Sequence, residues 1–372
     1  MGRLPRRGNP VRVGPAAGPV RFWRWTVARR PALIGLAVLT VLVGGFAVVR
    51  AAQNVWAVDA HRNLAAAAAL LHGAFGSDPD FLYSPLAAAL TVPALALPTD
   101  IAVVAWLALK AVLLAVGTAI ATRGLDGVDR LLIGVAVVTY LPILYDLELG
   151  NVTVIVLAAV VVVTWTPDRV TTGIPLGLIL ATAPKPQLVP VLIWLAVTHR
   201  RALAGAVSTA VLATLVGLAL TGPPAYAVWF ETLRAPAYLN DGDVINLALW
   251  SLPPVVAIPT AIAAIGGFLF ALRRGYWPGL LAANCVGLLL APYTLIYAAG
   301  LLLVAAPATA RAAPRAILGL AIVAPVALVL AFPAWVGLVL ALAVLVPAEV
   351  WPRRGPAIAQ PRTSIAMPGG EP

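Results

Sequence analysis

The chain alternates between long apolar runs and short polar segments that carry most of its charges. The first long run is Ala32–Val49, and similar runs recur as far as Val350. A transmembrane helix needs about 20 predominantly apolar residues. Strands of a membrane barrel alternate apolar and polar residues instead, and these runs do not alternate. The pattern therefore predicts an all-α polytopic membrane protein.

Composition and charge support this prediction. Of 372 residues, 62% are hydrophobic and 10% are charged, whereas soluble domains carry about 25% charged residues. The formal net charge is +11, but most arginines lie in short loops or in the tails, as the positive-inside rule describes. We therefore expect membrane lipids as neighbours and no nucleic acid as a partner.

With strict alternation, the runs give about twelve crossings and place both termini in the cytoplasm of a plasma-membrane protein. Residues 32–350 form the predicted membrane domain, between basic tails at 1–31 and 351–372 that we expect to be disordered. After the first run, only Arg50, Arg62 and Arg234 among the arginines fall outside. Acidic residues cluster outside instead: Asp59, Asp78, Asp80, Asp100, Asp146, Glu148, Glu231, Asp241 and Asp243. This bias is consistent with a functional external face.

Several runs are too short to span a bilayer. Gly173–Pro184 and Leu188–Val197 meet at Lys185, and Pro278–Ala291 and Leu295–Ala306 meet near Pro292. Broken helices persist at membrane depth only where protein buries them or where they line a cavity. We predict two pairs of partial helices, each with a buried apex.

Two outer segments are predicted on the same basis. The stretch Ala87–Leu97 should be a juxtamembrane helix at the surface, since both its ends are expected outside. Residues Gly222–Ser251 should form a long external loop.

Asp59 is the first candidate for chemistry. It follows the first run, where that helix should emerge outside, and a partly buried carboxylate suits a general base. The alternative is a solvated acid in a loop.

Lys185 lies between two prolines at an apex, where it could bind a phosphate; the alternative is a lysine that snorkels to the interface. Lys110, in the middle of an apolar run, is a weaker candidate of the same kind.

Further polar groups are less specific. Glu148 and Asn151 could contact a sugar or, with Asp59, a cation. Asn240–Asn246 resembles loose calcium ligation, but its spacing does not complete an EF-hand and a turn explains it better. His61, His72 and His199 lack metal-ligand spacing, and no nucleotide-binding motif occurs. We expect no metal and no cofactor.

The order of several short motifs resembles glycosyltransferase family 87, the polyprenyl-phosphomannose-dependent α-mannosyltransferases. The motifs are Asp59, Phe81–Leu86, Gly150-Asn151, Lys185 and Asn246–Ser251, within a likeness that covers roughly residues 32–310. The resemblance implies a GT-C helical bundle with juxtamembrane helices in the first external loop. It also implies a sugar donor on a polyprenyl phosphate, a glycolipid or glycan acceptor, and an active site on the external side.

The resemblance further implies a role for each candidate residue. Asp59 would deprotonate the acceptor hydroxyl, which inverts the anomeric carbon as polyprenyl phosphate leaves. Lys185 would stabilise that phosphate. The remaining residues expected to bind substrate are Arg62, Tyr83, Glu148, Asn151 and Asn246. Two alternatives remain open: a transporter or flippase of an envelope lipid-linked sugar, and the same fold using polyprenyl-phosphoarabinose.

Overall fold

A computed structural model describes residues 57–78, 81–125, 140–234 and 248–305, with residue 307 and a few isolated positions between 127 and 138. The predicted first membrane helix, both tails, the last two predicted crossings and the Asn240–Asn246 segment lie outside the described residues.

The described part is helical and contains no β-strand. Its α-helices, in chain order, are α1 (Val58–Leu71), α2 (Pro85–Thr91), α3 (Thr99–Ala121), α4 (Leu141–Leu149), α5 (Thr153–Trp165), α6 (Val170–Thr182), α7 (Val189–Thr198), α8 (Arg200–Arg234), α9 (Pro254–Arg274) and α10 (Tyr276–Leu290). Short 3₁₀ helices occupy Val92–Ala96, Pro186–Leu188, Leu249–Ser251 and Ile296–Ala305.

Three of these helices, α3, α8 and α9, are long and apolar enough to cross a membrane. Their exposed apolar side chains, such as Val112, Leu212 and Ile262, suit contact with lipid. The prediction of an all-α membrane protein is confirmed in this coarse form. The twelve crossings and the GT-C bundle stay predictions.

Both predicted pairs of short helices are present, but their apices are not buried as predicted, since Lys185 is half-buried and Pro292 is exposed. Helices α6 and α7 meet at Lys185, and α10 and the Ile296–Ala305 helix meet at a non-helical segment around Pro292. The two apices touch, because the Gln187 side-chain amide donates a hydrogen bond of 2.8 Å to the Tyr293 carbonyl. A Cβ added at Gly287 would lie 2.0 Å from the Gln187 carbonyl oxygen. Glycine at this position therefore lets the two apices pack together at one end of the molecule.

Helix α5 lies at the centre of the core. It is apolar on all sides and ten of its 13 residues are buried, as expected for a helix surrounded by others. Helix α3 packs against it where Gly117 approaches Ala158.

Small residues also join α6 to α8. A Cβ at Gly173 would lie 1.8 Å from the Ala202 carbonyl oxygen, and one at Gly205 would lie 1.9 Å from that of Val170. Such small residues let membrane helices approach closely.

An aromatic cluster closes the end of the bundle opposite the two apices. We call it the His199 cluster; it comprises Trp165, Trp194, His199, Tyr276 and Trp277. Trp194 stacks on His199 with ring centroids 5.7 Å apart, and Trp165 lies 4.3 Å from Trp277.

Two predictions of element boundaries were wrong. The external loop does not begin at Gly222: α8 bends there, at a φ of 78°, and continues to Arg234. The helix restarts at Pro223 and Pro224. Proline is accepted in the first turn of a helix, because the N–H group that it lacks would have no partner there. The apolar run Leu131–Tyr145, one of the twelve expected crossings, is interrupted at Tyr140, whose extended backbone precedes the separate helix α4.

The prediction of a short helix in the first external segment is confirmed as structure. Helix α2 and the 3₁₀ helix Val92–Ala96 together cover almost the predicted stretch. The part of α8 after the bend packs onto the loop that precedes α2, since the Trp229 indole donates a hydrogen bond of 3.0 Å to the Leu82 carbonyl.

Candidate functional site

Asp59 lies in the first turn of α1, which a backbone contact fixes against α4. Ala57 precedes the helix in a left-handed conformation with φ 55°, which is uncommon for a residue other than glycine. It is fully buried, and its N–H donates a hydrogen bond of 2.9 Å to the Glu148 carbonyl. This contact brings Asp59 to the turn between α4 and α5.

Gly150 allows α1 to approach that turn closely. Its φ is +70°, and a Cβ added there would lie 3.0 Å from the Cβ of Ala60. Trp106 of α3 donates a hydrogen bond of 2.7 Å to the Gly150 carbonyl. Three helices therefore converge on this single glycine.

Asn151 binds Asp59 directly. Its Nδ2 donates a hydrogen bond of 2.6 Å to Asp59 Oδ2. Its Oδ1 accepts the Val152 N–H at 2.8 Å and lies 3.2 Å from the Thr153 hydroxyl. Because two donors face the amide oxygen, the amide nitrogen is the atom that faces the carboxylate.

Arg62 lies one turn after Asp59 on α1. Its guanidinium is 3.9 Å from Asp59 Oδ1 and 3.7 Å from Asp78 Oδ2. Both ion pairs are long. Because the Arg62 side chain is 39% exposed, solvent also screens them, and they contribute little to stability. Arg62 is therefore a cation at the rim of the Asp59 site.

Lys185 lies at its apex between two tyrosines. Its Nζ is 5.6 Å from the ring centroid of Tyr83 and 5.6 Å from that of Tyr297. Both distances are within cation–π range. Tyr297 also interacts with Asn151, the residue that binds Asp59, so Lys185 and Asp59 share neighbours in one site.

Tyr83 packs edge-on against Phe81, with ring centroids 5.6 Å apart. Burial raises the pKa of Tyr83 well above its ordinary value, and the charge of Asp59 raises that pKa further. The phenol therefore keeps its proton and can act as a hydrogen-bond donor.

The structure brings most of the predicted residues together. We use "candidate site" for Asp59, Arg62, Tyr83, Asn151, Lys185 and Tyr297. Glu148 touches the site through its carbonyl, which holds Ala57. Asn246 lies outside the described residues.

Sequence reasoning missed two features. One is Tyr297, which lies over Lys185 and interacts with Asn151; its position beside the second apex was the available signal. The other is an ion pair between Lys110 and Asp146, whose Nζ and Oδ2 atoms are 2.7 Å apart with both side chains fully buried. Asp146, which the sequence placed among the external acids, is therefore the buried partner of Lys110, and its side of the membrane stays a prediction. The signal was a lysine in the middle of an apolar run, which needs a buried counter-charge.

The arrangement suits a reaction that moves a proton and stabilises an anion. A carboxylate held by a neutral amide can accept a proton, and a nearby ammonium group can stabilise negative charge on a leaving group. Within the described ranges, no group of three or more His, Cys, Asp or Glu side chains could hold a metal ion.

Comparison with known proteins identifies the family. The profile of glycosyltransferase family 87 matches residues 81–333, more than half of the chain, and Asp59 precedes the matched region. No curated protein and no solved structure matches the chain significantly. The profile match, together with helices long and apolar enough to cross a membrane, shows that the chain belongs to glycosyltransferase family 87 and is a membrane glycosyltransferase.

Proposed function

We propose that this enzyme transfers a sugar, mannose, from a polyprenyl-phosphate carrier to a hydroxyl of an envelope glycolipid or glycan. The observation that carries the proposal is the Asp59 carboxylate, held by Asn151 at 2.6 Å, in one site with the ammonium group of Lys185. The choice of mannose and of the carrier rests on the family resemblance. The proposed topology puts the site on the external face of the plasma membrane and both termini in the cytoplasm.

In the proposed reaction, Asp59 accepts the proton of the acceptor hydroxyl. The oxygen attacks the anomeric carbon from the face opposite the phosphate, and the bond between that carbon and the phosphate oxygen breaks. The electron pair leaves with polyprenyl phosphate, so one displacement inverts the anomeric carbon. Asn151 holds Oδ2 of Asp59 and thereby orients the other carboxylate oxygen toward the acceptor.

Lys185 stabilises the leaving group in this scheme. The phosphate gains negative charge as the glycosidic bond breaks, and a preorganised ammonium group lowers the energy of that transition state. The rings of Tyr83 and Tyr297 flank the ammonium group and restrict its position. We propose that Arg62, Glu148 and Asn246 contact the substrates around this centre.

The central test replaces Asp59 with asparagine, which keeps the shape of the side chain but removes the base. Membranes from cells that express Asp59→Asn are given labelled polyprenyl-phosphomannose and membranes from a deletion strain as acceptor. Since general-base catalysis contributes about 10²–10⁴-fold, transfer should fall by about that factor. Asp100→Asn, an exposed carboxylate in the first turn of α3, is the matched control and should transfer normally. Full transfer by a normally expressed Asp59→Asn enzyme would contradict the proposal.

The same assay separates the remaining alternatives. A transporter would move the labelled lipid across the membrane without forming a new glycosidic bond, and the family match favours transfer over transport. Polyprenyl-phosphoarabinose, supplied in parallel, distinguishes the two candidate donor sugars.

A further inference from the structure

We infer that Lys110 and Asp146 are positioning residues, which set the orientation of Asn151 and through it that of Asp59. The inference rests on the proposed function, in which Asp59 is the base. Their charged atoms bond to each other and to the backbone around α5, and the reaction proposed above does not use them.

The pair is joined directly to the turn that carries Asn151. Lys110 Nζ lies 2.7 Å from Asp146 Oδ2 and donates a second hydrogen bond, of 2.6 Å, to the Asp146 carbonyl. That carbonyl also accepts the Asn151 N–H at 3.0 Å. One ammonium group therefore holds both the side chain and the backbone of Asp146.

The Asp146 carboxylate holds the start of the next helix. Its Oδ1 accepts the Thr153 N–H at 2.9 Å, and its Oδ2 lies 3.4 Å from the Val154 N–H. These N–H groups belong to the first turn of α5, where no partner exists within the helix. Asp146 thus fixes the backbone on both sides of Asn151 and Val152.

This turn determines which atom of Asn151 faces Asp59. The Val152 N–H and the Thr153 hydroxyl both face Asn151 Oδ1, and both lie within the segment that Asp146 fixes. If the segment moved, the amide could rotate, and its oxygen would then face the carboxylate in place of the N–H group that donates to it. The pair therefore acts on Asp59 through Asn151.

Stability alone does not explain the pair. Removing two charges from water carries a large desolvation penalty, and replacing a buried ion pair with uncharged residues of similar volume is often neutral or stabilising. A pair that served only packing could therefore be exchanged without loss. A pair that sets a catalytic geometry could not, because a misplacement of about 1 Å can lower the rate about 100-fold.

The experiment is a double-mutant cycle on the full-length enzyme in membranes. Asp146→Asn alone would leave Lys110 charged and buried, so the principal variant is Lys110→Met/Asp146→Asn, which removes both charges and keeps an oxygen for the Thr153 N–H. We expect its kcat to fall about 100-fold, while KM for polyprenyl-phosphomannose changes less than about threefold and the thermal midpoint stays near wild type. In an Asn151→Ala background, the same double substitution should lower kcat by less than about threefold, because the intermediary is already absent.

A matched control removes an ion pair of the same length elsewhere. Arg234 and Glu231 lie 2.7 Å apart on the exposed end of α8, so Glu231→Gln/Arg234→Met should keep normal kcat. The inference is overturned if the Lys110/Asp146 double variant keeps normal kcat. It is equally overturned if its loss is undiminished in the Asn151→Ala background, or if it cannot fold, since the pair would then serve stability. Asp59→Asn, assayed in parallel, distinguishes failure of this inference from failure of the proposed function. If Asp59→Asn enzyme is active, the proposed function itself is wrong.

Discussion

The two ends of the bundle contain similar side chains but use them differently. At the Asp59 end, side chains interact with one another: Asn151 binds Asp59, and two tyrosine rings flank Lys185. At the His199 end, the indole N–H groups and the Tyr276 hydroxyl donate to backbone carbonyls, and that hydroxyl also lies 3.5 Å from His199 Nε2. Trp194 donates to the Tyr276 carbonyl and Trp165 to the Val304 carbonyl, each at 3.1 Å.

This difference distinguishes a reactive site from a structural contact between helices. A donor that binds a backbone carbonyl joins two elements of the fold, as when Tyr276 donates its hydroxyl proton to the Thr164 carbonyl. A carboxylate held by one amide keeps acceptor capacity for a substrate. Aromatic residues and a histidine are therefore not enough to identify a reactive end. The hydrogen-bond partners of their polar atoms show whether such a cluster is reactive or structural.

Among substitutions that test this comparison, Lys185→Met should have the largest effect on kcat. Loss of the ammonium group should lower kcat about 10²–10³-fold, the range seen when one preorganised stabilising group is removed from an active site. The measurement is single-turnover transfer from labelled polyprenyl-phosphomannose. Lys185→Arg, which keeps the charge, should recover part of the rate. Equal rates for the methionine and arginine variants would show that the charge is not what matters.

Gly150→Ala should have the next largest effect. The alanine must adopt a φ of +70° and place its Cβ 3.0 Å from Ala60, so α1 should shift and carry Asp59 with it. We expect kcat to fall about tenfold or more and stability to fall by about 1–2 kcal/mol.

Gly73→Ala is the matched control for this substitution. Gly73 has the same φ of +70°, but a Cβ there meets nothing within 4 Å. It should lose similar stability from backbone strain and keep its activity. If both alanine variants lost activity equally, the close approach of α1 to Gly150 would not position Asp59.

Tyr83 should show a smaller effect that depends on its ring. Cation–π contacts contribute about 0.5–2 kcal/mol, so Tyr83→Leu should lower activity about 3- to 30-fold. Tyr83→Phe keeps the ring and should stay closer to wild type in the same transfer assay. A phenylalanine variant as weak as the leucine variant would assign the role to the hydroxyl.

The smallest effect on activity should come from the His199 end. Tyr276→Phe removes the hydrogen bond to the Thr164 carbonyl and the 3.5 Å contact with His199 Nε2, and should lower the free energy of unfolding by about 1 kcal/mol, with unchanged kcat. Thermal unfolding in nanodiscs and the transfer assay measure the two quantities. A selective loss of kcat would mean that this end takes part in the reaction.

Much of the helical layout could be predicted from run lengths. The short runs around Lys185 and Pro292 predicted two broken pairs, because a run below about 20 residues cannot span a bilayer. The presence of Asp59, Asn151 and Lys185 in one site agrees with the predicted alternation, which placed all three at the same end.

Other features could not be predicted from alternation. The external cluster of acids gave no sign that Asp146 is buried, because its partner is a lysine 36 positions earlier on another helix. Gly222 marked the end of a run, yet the helix resumes after the bend. Tyr297 lies beside Lys185 because the two apices are in contact. That contact depends on tertiary packing.

The bend at Gly222 divides α8 into an exposed apolar shaft and an arm that packs beside the candidate site. A straight helix of 35 residues would measure about 52 Å, well beyond a hydrocarbon layer of about 30 Å. The shaft before the bend exposes Val211, Leu212 and Leu215 to its surroundings, while the arm after it covers the Leu82 loop through Trp229. Hydrophobic mismatch is accommodated partly by helix tilt, whereas the Trp229 hydrogen bond holds the arm on the loop that carries Tyr83. We therefore expect Gly222 to absorb a change in tilt, so that the Tyr83 loop keeps its place in membranes of different thickness.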